Sequence, residues 1–191
     1  MALHRAVLVR HGETDWSATG KHTSGTDLSL NEQGRERAHA LAGVLGGERY
    51  ALVLTSPLKR ARETCELAGF GDQAILCEDL PEWDYGEYEG KTTPEIREQR
   101  PDWNLWRDGC PGGEQPEQVA ARADRVLERL RGADGDALVF AHGHILRVLG
   151  ARWIEMDAAA GARLALAAGA VSVLGYERET PVLVRWNAAS V

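Results

Sequence analysis

Two apolar runs, each ending in His-Gly, constrain this chain more than any other feature. Ala6-Val7-Leu8-Val9 leads into Arg10-His11-Gly12, and Ala137-Leu138-Val139-Phe140-Ala141 leads into His142-Gly143-His144. Short, β-branched-rich apolar runs between polar residues read as strands buried on both faces. Neighbouring strands of a sheet lie about 4.8 Å apart. If these two are parallel neighbours, they deliver two imidazoles and the Arg10 guanidinium to one carboxyl edge, where open α/β sheets bind ligands.

The sequence between them supplies helical layers. Ser29-Leu30-Asn31-Glu32 reads as a capping box that opens a helix running to Leu45, stopped by Gly46-Gly47. Its apolar positions Ala38, Leu41, Ala42 and Leu45 recur at helical spacing. Residues 51–55 read as a second strand, after which Ser56 caps a helix with Pro57 at its first position. A third strand is predicted at 74–77, and a short helix from Thr93 ends before Pro101. A longer helix starts at Pro116 and lines up Val119, Ala123, Val126, Leu127 and Leu130. Residues 145–154 read as a helix, and 170–176 with 182–186 as an antiparallel hairpin. Alternating strands and helices imply an α/β chain: a three-layer α/β/α sandwich with a mostly parallel central sheet and one antiparallel edge strand. The length of 191 residues suits a single domain, 1–191. Trp103 and Trp106 argue for a small packed lid around 82–115, since tryptophans are seldom left in water.

A net charge of −7 implies no basic face for nucleic acid, so any anion must be held by a few cations gathered at one spot. Cys65, Cys77 and Cys110 are odd in number and lack C-x-x-C spacing, which argues against a disulfide framework or zinc ribbon and fits a reducing compartment. There is no apolar leader and no run approaching the roughly 18 residues of a membrane span, so the expected location is cytoplasmic.

The groups that can carry chemistry are His11, His142, Arg10, Arg60 near the start of the helix after Ser56, and one of Glu82, Asp84, Glu87 or Glu89. A metal site built from His11, His142, His144 and a carboxylate is one reading. Two guanidinium groups would repel a divalent cation, whereas beside a phosphate dianion they form charge-assisted forks. A serine hydrolase is another reading, but no G-x-S-x-G elbow exists. Phosphoryl transfer fits best. A neutral imidazole is a competent nucleophile near pH 7, and arginines with a protonated second histidine would balance the transferring charge. A carboxyl beside a phosphate dianion holds its proton more tightly and can donate it to the leaving oxygen. This chemistry does not by itself say which histidine attacks.

Arg10-His11-Gly12-Glu13-Thr14 resembles the signature of the histidine phosphatase superfamily, in the branch that includes cofactor-dependent phosphoglycerate mutases. Ser29–Gly34, Ser56-Pro57-Leu58-Lys59-Arg60-Ala61, Glu82-Trp83-Asp84-Tyr85-Gly86 and His142-Gly143 follow in the order of that family's motifs. The resemblance implies a phosphoglycerate mutase-like fold and a phosphorylated His11. It also implies a phosphoryl group held by Arg10, Arg60 and His142, and Glu82 as proton donor, with Asp84 and Glu87 structural. No metal and no cofactor are implied. The stretches Glu82–Gly90, Trp103-x-x-Trp106-Arg107-Asp108-Gly109-Cys110 and His142-Gly143-His144-x-x-Arg147 are similar to the sedoheptulose-bisphosphatase type and to bacterial acid phosphatases. That similarity implies substrate contacts from Thr23, Ser24 and Arg107, joined by Ser17 and Gly143. Arg107 has the alternative of pairing with Asp108, and His144 reads as a supporting residue. Ser17 stands where mutases carry asparagine, and their longer insertion after the acid motif is missing. The expected activity is therefore a metal-independent phosphatase acting on small phosphate monoesters, such as sugar phosphates or bisphosphates. The alternatives are a cofactor-dependent phosphoglycerate mutase and a silent phospho-ligand binder. The expected partner is a small phosphorylated metabolite, with no nucleic acid and no membrane, and a homodimer left open.

Overall fold

The structure, a computed structural model, describes residues 4–188. In chain order the strands are β1 (Ala6–Arg10), β2 (Leu52–Thr55), β3 (Ile75–Leu76), β4 (Ala137–Ala141), β5 (Val171–Glu177) and β6 (Thr180–Ala188). The helices are α1 (Asp15–Ala18), α2 (Glu32–Leu45), α3 (Lys59–Leu67), α4 (Thr93–Gln99), α5 (Leu105–Asp108), α6 (Pro116–Arg131) and α7 (Gly143–Trp153). The strands form one sheet in the order β3-β2-β4-β1-β5-β6. β3, β2, β4 and β1 run parallel, and the β5–β6 hairpin closes the other side, β5 running antiparallel to both of its neighbours. This is the mixed sandwich expected from the alternation of elements.

Successive residues of each strand face opposite layers. Leu8, Leu54, Val139 and Ala141 pack with α6 and α7 through Val119, Ala123, Val126, Ile145 and Leu149. Val7, Val9, Val53, Leu138 and Phe140 pack with α2 and α3 through Leu41, Leu45 and Cys65. Because β1 and β4 bury both faces, their register is tightly specified. Arg10 pairs with Ala141, so the two His-Gly ends emerge side by side. None of the described helices is long and apolar enough to cross a membrane.

Several local expectations are corrected. The cap of α2 is Asn31, whose side chain accepts from Gly34 N, and not Ser29. Ala42 is exposed and Gly34 joins Ala38, Leu41 and Leu45 on the buried face. α3 starts at Lys59 with Leu58 at the cap position and so no side-chain cap, while the Ser56 hydroxyl accepts from Leu58 N and partners His142. β3 is only two residues long, both about half exposed, as a short edge strand can be. α7 begins at Gly143, two residues before the predicted start, and this matters for the site.

The loop after β1 lies flush on the first turn of α2. A Cβ on Gly34 would sit 2.1 Å from the Glu13 carbonyl oxygen, and one on Gly12 would sit 2.4 Å from that of Gly34. Both contacts are backbone, so neither side can yield cheaply. Gly34→Ala is expected to cost about 1–3 kcal/mol, read as a lower urea midpoint at unchanged slope. An unchanged midpoint would show that α2 can move freely away from the histidine loop.

Candidate active site

His11 and His142 meet at the carboxyl ends of β1 and β4, their ring centroids 5.1 Å apart. Both are buried, at 4% and 0% exposure. Their hydrogen bonds separate their roles. His11 Nδ1 lies 2.6 Å from the Gly12 carbonyl oxygen, which can only accept. Nδ1 therefore carries the proton and Nε2 carries the free lone pair. His142 has no such lone pair to spare. Its Nδ1 accepts from Arg60 Nε at 3.1 Å, so its Nε2 holds the proton and donates to Ser56 Oγ at 2.8 Å. Burial, followed by the charges of Arg60 and Arg10, pushes the His11 pKa well below the ordinary histidine range. Burial and the charge of Arg60 do the same to His142. The second histidine is thus neutral in the free protein.

The two arginines differ in the same way. Arg10 lines the site cavity, and its Nη1 donates to the Leu166 carbonyl. Its Nε is buried with no hydrogen-bond partner. An unpaired buried donor costs about 1–3 kcal/mol, so its retention points to a ligand acceptor. The Arg10 guanidinium lies over the start of α7, where a Cβ on Gly143 would come within 3.2 Å of it. Arg60 is 1% exposed and does not open onto solvent. Nη1 donates to Thr26 O, and Nη2 donates to Thr23 O and Ser24 O. With Nε on His142, four of its five N–H donors are engaged. Arg60 is a clamp on the 23–26 loop and on His142, rather than a bidentate fork open to the cavity.

Of the four carboxylates, Glu82 is the one that meets the start of α7. Glu82 is 7% exposed, and its carboxylate accepts from His144 N at 2.9 Å and Ile145 N at 3.0 Å, with Trp83 N also on Oε1. A helix N-terminus favours a carboxylate through its unpaired amides and its dipole. Asp84 and Glu87 are exposed and outside the cavity. Glu89 serves the loop, accepting from Ser24 N, Ser24 Oγ and Thr26 N. Burial acts to raise its pKa, but these hydrogen bonds outweigh it and the net shift is downward.

The cavity is about 170 Å³. Arg10, His11, Ser17, Thr23, Glu82 and Gly143 line it. Arg107 does not. Its side chain is 65% exposed and paired bidentately with Asp108, so its expected substrate contact is replaced by the ion pair. Ser24 is buried behind the cavity and held by Glu89, which displaces its expected contact too. Sequence reasoning missed His22 and Tyr85 as lining residues and gave Arg147 no role. Tyr85 Oη lies 2.6 Å from His144 Nδ1, and Arg147 stacks 4.5 Å over Trp106. Arg147 sits one helical turn beyond Gly143 on α7, a spacing that was readable once the helix start was known. Among the described residues, no group of three His, Cys, Asp or Glu converges as a metal-ion site.

Four histidines here lose protons on folding. His11, His142 and His144 are all held well below the usual value, chiefly by burial, and burial pushes His22 down to about 4. The unfolded chain takes up protons near pH 6.5 that the folded one refuses. Stability present above pH 6.5 is therefore lost as pH falls, for His22 until about pH 4. His22 alone accounts for up to about 3 kcal/mol. Urea melts between about pH 7 and pH 4.5 should show this decline. A flat profile would mean these imidazoles are charged in the fold.

Residues 6–189 match the family described as the histidine phosphatase superfamily (branch 1). An acid phosphatase of Mycobacterium tuberculosis is 43% identical, over 91% of this chain and 87% of the relative. The sedoheptulose 1,7-bisphosphatase of Saccharomyces cerevisiae is 36% identical, over 80% of this chain and 68% of the relative. A solved structure of an open reading frame product from Mycobacterium tuberculosis superposes with a TM-score of 0.94 at 39% identity, covering 98% of this chain and 99% of that one.

Proposed function

Since this chain belongs to branch 1 of the histidine phosphatase superfamily, we propose that it hydrolyses small phosphate monoesters through a phosphorylated His11, without a metal ion. The observation that carries this reading is the hydrogen bond from His11 Nδ1 to Gly12 O, which leaves a neutral Nε2 in the cavity. His142 cannot take that role, because both of its nitrogens are engaged.

The Nε2 lone pair attacks phosphorus as the ester P–O bond breaks. Beside the bound phosphate dianion the Glu82 carboxylate takes up a proton, and the departing alkoxide takes that proton from it. Water then attacks the phosphohistidine, Glu82 takes the proton of that water, and the N–P electron pair returns to Nε2. Arg10, with its unsatisfied Nε, neutralises the transferring phosphoryl oxygens. Arg60 holds His142 beside them. Two guanidinium groups within the site supply the positive charge that a metal would otherwise bring. The cavity and the two named relatives, an acid phosphatase and a sugar bisphosphatase, support small sugar phosphates or bisphosphates as the substrate class.

The test is a rapid alkaline quench with a radiolabelled substrate and chelator present. The expected product is an alkali-stable, acid-labile phosphoprotein, with free phosphate accumulating. Failure to trap any phosphoprotein, or loss of activity with chelator, overturns the reading. A phosphoglycerate substrate that yields its isomer instead of free phosphate would show a mutase.

A further inference from the structure

We infer that Arg122, on α6 and outside the cavity, is the positioning residue for Glu82. This rests on the reading of Glu82 as the proton donor. The Glu82 carboxylate is held at its head by the first amides of α7. What grips the chain beneath it is a partly buried ion pair. Arg122 Nε and Nη2 donate to the two carboxylate oxygens of Glu114 at 2.7 and 2.8 Å. Arg122 Nη1 donates to the carbonyls of Asp79 and Pro81 at 2.7 and 3.0 Å, and Pro81 immediately precedes Glu82. Glu114 grips the other side. Its Oε2 accepts from Asp84 N, its carbonyl accepts from the Trp83 indole, and its own N–H donates to Asp84 O. The side chains of Arg122 and Glu114 are only 14% and 18% exposed.

The consequence is geometric. Segment 79–84 has no regular secondary structure, so its backbone is fixed by tertiary contacts, the buried Leu80 and Trp83 side chains and the Arg122 bonds to its carbonyls. One guanidinium, with a fork on Glu114 and a third nitrogen on two carbonyls, sets where that segment runs. Lysine has neither the plane nor the number of directed donors to reproduce this. A proton donor displaced by about an ångström loses on the order of a hundredfold in rate. The loss appears only where the leaving oxygen needs the proton.

The experiment compares Arg122→Lys, Glu82→Gln and the double variant on two substrates with the full chain. One is an alkyl phosphate, a poor leaving group; the other is 2,4-dinitrophenyl phosphate, which leaves without a proton. Arg122→Lys should lower the alkyl-to-dinitrophenyl ratio of kcat/KM by about tenfold to a hundredfold. In the Glu82→Gln background it should lower that ratio no further, as coupled residues do. Equal losses on both substrates, or an additive loss in the double variant, overturn the inference and mark the pair as structural only. Should Arg122→Lys fail to fold, Glu114→Gln takes its place, since it keeps the backbone bonds to Trp83 and Asp84. If Glu82→Gln itself shows no leaving-group dependence, the donor reading fails and the inference falls with it.

Discussion

His11→Asn is expected to lower kcat/KM by about 10⁴-fold or more and to leave no trappable phosphoprotein. The substitution is chosen for what it keeps. An asparagine amide can place an N–H where Nδ1 stands and preserve the bond to the Gly12 carbonyl. It offers no lone pair at the Nε2 position. The loop between β1 and α2 should therefore stay packed on Gly34, with a thermal midpoint close to the parent's. The Arg10 Nε is untouched, so inorganic phosphate should still raise that midpoint. Inactivity with retained phosphate binding separates loss of the nucleophile from loss of the site. Residual turnover within tenfold of the parent would mean that another group attacks. His142 would then have to release Arg60 or Ser56 to do so. The pH dependence carries the same sign. His11 stays neutral well below pH 6.5, so the acid side of the kcat/KM profile should show no loss of nucleophile in that region.

Glu82→Gln should cost roughly 10²–10⁴-fold with alkyl phosphates and much less with 2,4-dinitrophenyl phosphate. Glutamine keeps an oxygen for Trp83 N, His144 N and Ile145 N, while its amide faces the remaining bond from His144 N. The change is close to isosteric, yet it removes the transferable proton. It also removes a negative charge from the start of α7, where a carboxylate contributes about 0.3–1 kcal/mol. Thermal melts should register that small loss. A uniform drop across leaving groups would show that Glu82 holds α7 in place and donates nothing.

Other features required the folded chain. Four carboxylates fall within eight residues, at 82, 84, 87 and 89; local chemistry does not distinguish them, and only the family resemblance points to Glu82. The distinction comes from α7, whose start at Gly143 puts two free amides on Glu82 and none on the others. Arg60 was legible as a cation near a helix start, but its partners are carbonyls on a loop more than thirty residues away. Arg107 looked available and is held by its own neighbour. Ser56 looked like a helix cap and is instead the partner of a histidine 86 residues later.

The sequence by itself determined that His11 and His142 each stand at the end of a buried strand, while the pairing of β1 with β4 brought them together. Two runs buried on both faces can satisfy their backbones only inside a sheet, and a His-Gly at the end of each must then emerge at its edge. It also determined the α6 stripe and the β5–β6 hairpin, because both are written in local periodicity. Only the tertiary structure decided which imidazole keeps a lone pair, which carboxylate sits on a helix N-terminus, and which arginine keeps a buried, unpaired Nε. Those outcomes depend on hydrogen bonds between segments far apart in the chain, and no local pattern encodes the partner across such a distance.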